Sequence, residues 1–467
     1  MKKIFPIIEA IPIVDISSEG LGVGKKEDLV IFVKKAIPGD IVNARIIKKH
    51  RRYSEAEIES LVHASPHRIP AKCAHFGDCG GCKWQHFDYA MQLETKQNLV
   101  TQAIQRIGKV EVKEFLPIVA SEKIFYYRNK LEYSFANSKW LTREQIASDT
   151  EIVDKNAVGF HVAGFFDKIL DITQCHLQEE PTNAIRNHLR ELATNHSLTY
   201  YDVRNHVGFF RNTIIRISAT TGEIMVLVSF GENQPENIRL VMQSLKDTFP
   251  AITSLLYVVN TKKNDTIHDL VVKVYHGKAY IEETMEDLRF KIGSKSFYQT
   301  NSLQAYQLYS ITRDFAAIQP SDIVYDLYTG VGTIALFVAK LATKVVGIEY
   351  VEAAIVDANE NARYNTITNT HFVAGDMKKV FTNEFVAIHG KPDVIITDPP
   401  RAGMDKEVIE QILQLLPTKI VYVSCNPSTQ ARDLELLSSQ YEVQKIQPVD
   451  MFPHTTHVES VALLIKK

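Results

Sequence analysis

The five cysteines of this chain fall into a group of three and two that stand apart. Cys73, Cys79 and Cys82 lie close together, Cys175 follows in DITQCHL, and Cys425 lies in VSCNP. Three neighbouring cysteines and one distant cysteine provide four thiolate ligands for a metal centre. Cys425 instead follows a strand-like run, KIVYVSC, where a nucleophile can be presented. The simplest interpretation assigns four thiols to a metal centre and one to catalysis.

The spacing of the four ligands leaves the type of metal centre open. Zinc accepts four cysteines, usually in paired C-x2-C knuckles. Only Cys79 and Cys82 have that spacing here, and Cys175 lies 93 positions beyond Cys82. An iron–sulfur cluster is also held by four cysteine thiolates. The pattern therefore predicts a metal centre and is compatible with either kind.

Chemically active side chains follow the predicted strands of the C-terminal part. From about residue 295, strand-like runs (SDIVYDLY, KVVGIEY, THFVAGD, DVIITDPP and KIVYVSC) alternate with helical segments. This alternation favours a parallel sheet with helices on both faces, and ligands of such sheets bind at the carboxyl ends of the strands. The side chains at those ends are Asp326, Glu349, Asp376, Asp398 and Cys425. We therefore expect them to share one site.

A glycine-containing turn, DLYTGVGTIAL, follows the first of these strands. Gly330 and Gly332 permit a tight turn and the close approach of a ligand to backbone N–H groups. The run GVGTIA also satisfies the dinucleotide pattern G-x-G-x-x-A. Glu349, at the end of the next strand, would hold ribose hydroxyls of either NAD or S-adenosylmethionine. These two elements leave both cofactors open.

Two later turns favour methyl transfer. Asp398-Pro399-Pro400 is a rigid turn that fixes the direction of the carboxylate, and a D/N-P-P-x turn after the fourth strand resembles methyltransferases that act on nucleobases. A lone thiol is by default a small hydrophobe, but the position of Cys425 beside the other strand-end groups favours a nucleophile. Glu459, in HVES near the C-terminus, either begins the last strand, ESVALLI, as a solvent-facing position or acts as a general base opposite the thiolate.

The order of these motifs resembles that of the RNA uracil-5-methyltransferase family. The family's motifs occur here as FxQxN (residues 297–301), DLxxGxG (326–332), an acidic strand end at Glu349, DPPR (398–401), SCNP (424–427) and HVES (457–460). The C-x5-C-x2-C spacing, the later cysteine and the N-terminal β-module look like the iron–sulfur branch that methylates large-subunit ribosomal RNA. In that branch the β-module is called a TRAM domain.

The resemblance implies a role for each site residue. Cys425 would be the nucleophile and Glu459 the base. The S-adenosylmethionine site would be lined by Gln299, Tyr328, Glu349, Asp376 and Asp398. The family often has Phe where this chain has Tyr328, and the aromatic face is kept. A [4Fe-4S] cluster, favoured over zinc by the resemblance, would be held by Cys73, Cys79, Cys82 and Cys175.

The implied reaction is methylation of uridine C5 in 23S ribosomal RNA through a covalent adduct between cysteine and uracil C6. The nearest alternative changes only the substrate, to transfer RNA. An NAD-dependent oxidoreductase would leave SCNP and HVES without a purpose. A non-catalytic RNA-binding protein would leave Cys425 and Glu459 unexplained beside an intact cofactor motif.

The predicted fold class is α/β, with three domains. Residues 1–62 contain short β-rich runs separated by turn signals, which predict a five-stranded barrel of the TRAM or oligonucleotide-binding kind. Residues 63–290 are predicted to form a central α+β domain that carries the cluster, with a helix over residues 84–107. Residues 291–467 are predicted to form a Rossmann-like S-adenosylmethionine-dependent methyltransferase domain.

A basic run on the predicted barrel is a candidate RNA footprint. It contains Arg45, Lys48, Lys49, Arg51 and Arg52, followed by Tyr53. Such a run is usually a solvated face, but cations beside an aromatic ring on a small barrel also suit RNA. Because the net charge of the 467-residue chain is only −2, any basic surface must be local.

Composition and cysteine usage predict a cytoplasmic location. The apolar and charged fractions, 45% and 23%, are those of an ordinary globular protein, and no apolar run reaches the ~18–20 residues of a membrane span. The apolar start is interrupted by Pro6, Glu9 and Pro12, so we interpret it as a strand rather than a signal peptide. An odd number of cysteines in a large chain favours a reducing compartment. We predict an RNA partner, no membrane and no obligate protein partner.

Overall fold

A closed five-stranded barrel begins the chain in the computed structural model, which describes residues 6–148 and 154–467. Its strands follow the order β1-β2-β3-β5-β4. Alternate side chains of the long strands point inward, which is the period-two pattern of a strand with one buried face. The strands are β1 (Ile7–Ile16), β2 (Gly22–Lys26), β3 (Leu29–Lys34), β4 (Ile41–Lys49) and β5 (Tyr53–His63).

The segment after the barrel packs on the C-terminal part of the chain. Helix α1 (Tyr89–Ala103) is capped by the carboxylate of Asp88 and continues into a π-helical turn (Ile104–Gly108). A Cβ at Gly108 would lie 2.8 Å from the carbonyl oxygen of Ala431, so only glycine allows this close contact. Strand β6 (Val112–Phe115) then joins the edge of the C-terminal sheet.

A seven-stranded sheet forms the core of the middle of the chain. Its order is β13-β12-β11-β10-β7-β8-β9. The strands are β7 (Lys130–Ala136), β8 (Ala157–His161), β9 (Ile169–Asp171), β10 (Phe210–Ile217), β11 (Ile224–Phe230), β12 (Ile252–Val259) and β13 (Lys273–Gly277). The helices of this part are α2 (Arg143–Ala147), α3 (Thr182–Asn195) and α4 (Pro235–Thr248). Apolar side chains of α3 and α4 are buried in the same core as strands β10 and β11.

A hairpin, β14 (Tyr280–Met285) and β15 (Leu288–Gly293), leads into an eight-stranded sheet. The sheet order is β18-β17-β16-β19-β20-β22-β21-β6. Its remaining strands are β16 (Ile323–Leu327), β17 (Lys344–Glu349), β18 (Thr370–Ala374), β19 (Val394–Thr397), β20 (Lys419–Ser424), β21 (Tyr441–Val449) and β22 (Glu459–Lys466). Its helices are α5 (Ser302–Ala316), α6 (Thr333–Val338) with a 3-10 turn (Ala339–Leu341), α7 (Glu352–Tyr364), α8 (Met377–Val380), α9 (Asn383–His389), α10 (Lys406–Leu415) and α11 (Pro427–Leu437).

The strand order reverses at β16, which pairs in parallel with β17 on one side and with β19 on the other. The carboxyl ends of β16 to β20 therefore meet at one edge, and the reversal opens a crevice there. The runs that predicted these five strands all lie on observed strands. Within the described residues, no helix is both long and apolar enough to cross a membrane.

Candidate active site

A cavity of about 890 Å³ lies at the carboxyl ends of the parallel strands. We call it the adenosyl cavity. All five residues predicted to bind the cofactor line it: Gln299, Tyr328, Glu349, Asp376 and Asp398. They come from five different segments of the chain and meet here because each follows a strand or begins a helix at the same edge of the sheet.

The turn after β16 has backbone that favours glycine. Tyr328, Gly330 and Gly332 have φ angles of 66°, 56° and 80°. At Gly332 a Cβ would also lie 2.9 Å from the ring of Phe372. A non-glycine residue in this region carries backbone strain, and such strain concentrates at functional sites. The strained Tyr328 directs its aromatic side chain to the adenosyl cavity.

The carboxylate of Glu349 holds this turn in place. Its Oε2 accepts a hydrogen bond from the N–H of Gly330 at 3.1 Å, and its Oε1 accepts one from the N–H of Val351 at 2.9 Å. Backbone donors on one edge of the carboxylate fix its orientation and leave further lone pairs for a ligand. Glu349 is therefore positioned at the mouth of the cavity as a hydrogen-bond acceptor.

Asp326 anchors the same turn from below. Its Oδ2 accepts hydrogen bonds from the hydroxyl of Thr329 (2.5 Å) and the N–H of Ala335 (3.0 Å), and the side chain has no solvent exposure. Burial, with a contribution from the charge of Glu349, raises the pKa of Asp326 to about 7. Its hydrogen bonds join the end of β16 to the first turn of α6.

The ends of β20 and β22 bring the candidate nucleophile and base close together. These strands pair antiparallel, with Ser424 opposite Ser460. Cys425 follows Ser424 just beyond the end of β20, and Glu459 precedes Ser460 as the first residue of β22. The charge of Glu459 acts on the Cys425 thiol and raises its pKa, so the two side chains are neighbours. Glu459 is only 5% exposed, so the solvent-facing interpretation of this position is wrong.

Cys425 is half-buried beside a small cavity of about 180 Å³ that Arg401, His457 and Ser18 also line. Burial and the carboxylates of Glu459 and Asp398 raise the pKa of the thiol to about 11, while Arg401 lowers it. Cys425 lies just before the N-terminus of α11, and the positive end of that helix dipole favours an anion. Thiolate formation thus depends on the balance between the carboxylates and these positive groups.

Half-buried Asp398 and buried Glu459 form an interacting carboxyl pair. Burial raises the pKa of each, and the charge of Asp398 raises that of Glu459 further. Two carboxylates in one buried site resist simultaneous ionisation, so the pair retains a proton more strongly than isolated side chains. Asp398 also lines the adenosyl cavity and therefore connects it with the Cys425–Glu459 pair.

The other four cysteines meet in a separate cavity of about 380 Å³. Cys175 is buried and the other three are half-buried. Burial raises the pKa of Cys79 to about 12 and that of Cys82 to about 11, and the remaining thiols add to the shift at Cys79. Cys73 and Cys175 are shifted in the same direction, again mainly by burial. Within residues 6–148 and 154–467, however, no group of three or more His, Cys, Asp or Glu side chains is arranged to hold a metal ion.

Comparison with known proteins agrees with this geometry. Residues 213–467 match the model of the family described as tRNA (Uracil-5-)-methyltransferase, and residues 10–58 match the TRAM domain. The chain belongs to the tRNA (uracil-5-)-methyltransferase family. This methyltransferase is 52% identical over 451 residues to an uncharacterized RNA methyltransferase of Bacteroides thetaiotaomicron, which covers 96% of this chain and 99% of the relative. A Porphyromonas gingivalis relative with the same description is 51% identical over 461 residues, covering 97% and 99%.

A solved structure matches along almost the whole length of the methyltransferase. It is the Pyrococcus abyssi tRNA (uracil-54, C5)-methyltransferase in complex with S-adenosyl-L-homocysteine, with a TM-score of 0.76 and 28% identity. The match covers 98% of this chain and 100% of that one. The predicted fold, an N-terminal barrel and a C-terminal S-adenosylmethionine-dependent methyltransferase domain, is thereby confirmed. The protein is an S-adenosylmethionine-dependent RNA (uracil-5-)-methyltransferase.

Sequence reasoning gave no role to three residues of this site. Arg401 and His457 belong to the DPPR and HVES motifs, and their side chains lie 3.4 Å apart beside Cys425. Their positions within these motifs could have identified them as site residues. Tyr309 is different, because it lies within α5 outside any motif. It lines the adenosyl cavity, and burial together with Asp398, Glu459 and Asp326 raises its pKa well above the usual value.

Proposed function

We propose that this methyltransferase methylates C5 of a uridine in 23S ribosomal RNA through a covalent adduct between Cys425 and uracil C6. The observation that carries this proposal is the proximity of Cys425 and Glu459 at the ends of β20 and β22, which Asp398 connects with the adenosyl cavity. S-adenosylmethionine, when bound there, supplies the electrophilic methyl group. C5 of uracil is too weakly nucleophilic to accept that methyl without activation.

In the proposed mechanism Cys425 activates the uracil. Its thiolate adds to C6, and the electrons of the C5–C6 double bond move to form an enolate with an electron-rich C5. C5 would then take the methyl group from S-adenosylmethionine, whose S–CH3 bond breaks to leave S-adenosylhomocysteine. The guanidinium of Arg401 lowers the pKa of the thiol and so favours the attacking thiolate.

Glu459 then restores the aromatic ring in this proposal. Its carboxylate removes the proton from C5, the double bond re-forms, and the C6–S bond breaks to release the Cys425 thiolate. A carboxylate with a raised pKa is a stronger base than an ordinary one. The neighbouring Asp398 thus supports proton removal by raising the pKa of Glu459.

The lining of the adenosyl cavity suits the cofactor. Glu349 is assigned to the ribose hydroxyls and Tyr328 to contact with an apolar or aromatic face of the cofactor. Asp376 caps α8 through a hydrogen bond from the N–H of Lys378, so its carboxylate is fixed at the cavity wall. Gln299 and Asp398 complete the proposed cofactor contacts.

The barrel is proposed to bind the RNA. Its β1–β2 turn lies against the catalytic part, since the carbonyl of Glu19 accepts a hydrogen bond from Lys83 and a Cβ at Gly20 would lie 2.4 Å from Thr456. Ser18 of this turn lines the cavity of Cys425. RNA held on the barrel would therefore pass directly to the site of reaction.

The proposed RNA footprint is smaller than the basic run of the sequence. Arg45 and Lys48 form ion pairs with Glu59 and Glu55. Lys49, Arg51 and Arg52 are exposed, and the ring of Tyr53 stacks on His50 at a centroid distance of 4.2 Å. Exposed cations around an aromatic ring suit a single-stranded RNA segment.

Transfer RNA is the second candidate substrate. The family description and the name of the Pyrococcus abyssi protein both specify tRNA. The cysteine motif and the barrel, which resemble the ribosomal-RNA branch, support 23S ribosomal RNA. Both substrates use the same site residues.

We also propose that Cys73, Cys79, Cys82 and Cys175 hold a [4Fe-4S] cluster in a reducing, cytoplasmic setting. The four thiols line one cavity, and their mutual repulsion as thiolates would be relieved by a cationic cluster. The proposed methylation needs no redox step, so the cluster is assigned a structural role. Its connection to the active site supports this role, since the N–H groups of Lys83 and Trp84, just after Cys82, donate to the carbonyl of His454.

The decisive experiment incubates the protein with tritiated-methyl S-adenosylmethionine and, in parallel, unmodified 23S ribosomal RNA and unmodified tRNA. Nucleoside digestion identifies the product. Label in 5-methyluridine from ribosomal RNA alone is expected, and label from tRNA alone would replace the substrate while keeping the mechanism. Cys425→Ala is the matched control: it should bind S-adenosylmethionine normally and transfer no label. Turnover near that of the wild type in this variant would exclude the nucleophile assignment.

A further inference from the structure

A second cavity, of about 490 Å³, adjoins the adenosyl cavity at the face of the central sheet. Strands β7, β10 and β11 form its floor, and residues 294–300 form one wall. The two cavities share Phe297 and Tyr298 among their lining residues. We call it the flanking cavity. Its volume lies within the range of about 300–1,000 Å³ that is usual for ligand sites.

Three residues of the flanking cavity carry buried polar atoms that lack a hydrogen-bond partner among the described residues. They are Nε of Arg216, Oγ of Ser229 and Oη of Tyr298. All three residues are buried, with exposed fractions of 4%, 3% and 4%. Buried polar groups are normally paired. The wall of this cavity therefore contains three polar groups that the fold leaves without a partner.

The charged side chains of the cavity also indicate a ligand. Lys130 and Arg216 lie directly opposite each other on β7 and β10, and opposed like charges destabilise a sheet. Burial lowers the pKa of both side chains, that of Arg216 to about 10, and the charge of Arg216 lowers that of Lys130 further. The carboxylate of Glu132 compensates this cationic pair only in part, because the pKa of both side chains stays below its ordinary value, and the remaining positive charge is available to a ligand.

The lining distinguishes a nucleobase from a phosphate. Besides the two cations it contains an acceptor, Glu132, and the amide of Asn212, whose Nδ2 lies 3.3 Å from Oε1 of Glu132. Ile214 and Leu227 add an apolar floor. A phosphate needs donors only, whereas a base needs donors, acceptors and an apolar surface for its face.

The position of Phe297 connects this cavity with the reaction. Its ring is 68% exposed and borders both cavities, so it can stack with bases on either side. Given the proposed methylation of a uridine beside the adenosyl cavity, we propose that the flanking cavity binds the base of a neighbouring nucleotide of the same RNA. This contact makes Lys130, Arg216 and Ser229 determinants of substrate sequence.

The test combines protein variants with abasic RNA. Within the shortest RNA that the wild type methylates, each nucleotide next to the target uridine is replaced in turn by an abasic residue. At one position this replacement should raise KM about tenfold, the effect of roughly 1.4 kcal/mol of binding free energy, with a smaller change in kcat. Ser229→Ala and Lys130→Met should raise KM on intact RNA to a similar degree. In these variants the abasic replacement at that position should have little further effect.

Ser254→Ala is the matched control. Ser254 is also a buried serine with an unpartnered hydroxyl, but it does not line the flanking cavity. This variant should keep the wild-type KM and the full abasic effect. Calorimetric titration with S-adenosylmethionine should give the same affinity for all of these proteins.

Three outcomes would overturn the inference. One is that, at every position, the KM of a variant with abasic RNA rises by the product of the two separate increases, because the residue and the base would then act independently. Another is that a methylphosphonate linkage, rather than an abasic residue, cancels the effect of Lys130→Met, because the cavity would then hold a phosphate. The third is weaker S-adenosylmethionine binding by Ser229→Ala, which would assign the cavity to the cofactor. Failure of the wild type to methylate any RNA would instead refute the proposed function, so the two failures are distinguishable.

Discussion

Lys96 of α1 and Asp450, just after β21, form an ion pair from which solvent is excluded. Nζ of Lys96 lies 2.5 Å from Oδ1 of Asp450, and neither side chain has any exposed surface. The hydroxyl of Tyr89 donates to Oδ2 of Asp450, and the N–H of His454 donates to Oε1 of Gln92. Helix α1 thus holds the segment that leads from β21 to Glu459, the proposed base.

We expect Lys96→Met to destabilise the protein by about 3–5 kcal/mol, because it leaves the carboxylate of Asp450 buried without a counter-charge. Equilibrium urea unfolding, followed by tryptophan fluorescence, measures the change in the free energy of unfolding. Asp450→Asn should also destabilise, and the double variant should be more stable than the sum of the single effects predicts.

The matched control for this pair is Lys406→Met. Lys406 and Glu410 lie 3.3 Å apart on the surface, with side-chain exposures of 76% and 52%. An exposed pair contributes at most about 1 kcal/mol. Equal losses for the buried and the exposed pair would show that burial does not determine the strength of the Lys96–Asp450 interaction.

Glu459→Gln should trap the enzyme on its RNA. The amide cannot remove the C5 proton, so elimination stalls after methyl transfer and the Cys425–uracil bond persists. A denaturing gel should then show a band that contains both protein and labelled RNA. The double variant Cys425→Ala/Glu459→Gln should show no such band, and its presence there would place the covalent bond on another residue.

The same variant should change how stability depends on pH. Burial and Asp398 raise the pKa of Glu459 in the folded state above its unfolded value. The folded protein therefore binds more protons than the unfolded one between these values, and the contribution of Glu459 to stability falls as pH rises from about 5 to about 8. One pKa unit corresponds to about 1.4 kcal/mol.

Glu459→Gln should accordingly be more stable than the wild type at pH 8, by at least about 1.4 kcal/mol, with a smaller difference at pH 5. Thermal or urea unfolding at both pH values measures this. Glu410→Gln, at an exposed position, serves as the comparison and should change stability little at either pH. A gain of equal size at both pH values would mean that ionisation of Glu459 is not the cause.

Cys175→Ser should bleach the brown colour expected of the purified protein and lower its iron content, because the proposed cluster loses a ligand. Cys175 is the buried member of the four. Cys425→Ser is the matched control, because it also removes one cysteine, and it should keep its iron. Retention of iron by Cys175→Ser would place the fourth ligand elsewhere.

The double variant Arg51→Ala/Arg52→Ala should bind RNA more weakly, and its binding constant should depend less on salt concentration. Each phosphate contact to single-stranded RNA contributes about −0.7 to the slope of log K against log salt, so losing two contacts should flatten the slope by roughly 1.4. Fluorescence anisotropy at several salt concentrations measures it. Lys406→Ala, an exposed lysine on α10, should leave the slope unchanged. An unchanged slope in the double variant would remove these arginines from the RNA contact.

Local patterns were sufficient for most of the elements. Four of the five barrel strands and the five strands from β16 to β20 correspond to apolar runs bounded by turn signals. β2, GVGKK, did not stand out, because glycine weakens a strand. Glycine is nevertheless required there, since a Cβ at Gly24 would lie 2.4 Å from Ile11. The helix predicted over residues 84–107 begins at Tyr89 instead, because Asp88 caps it, and its last turn is π-helical.

The sequence by itself determined which residues lie at the active edge of the sheet. Strand ends can be read from local hydrophobic runs, and parallel topology brings those ends together. It could not determine which side chains interact through their charges, oppose one another or enclose a cavity. Lys96 and Asp450 are 354 positions apart, and Lys130 and Arg216 meet only through the pairing of β7 with β10. Such contacts leave no local periodic signal, because they depend on how complete elements pack. The Asp398–Glu459 pair and the flanking cavity are therefore products of the tertiary structure alone.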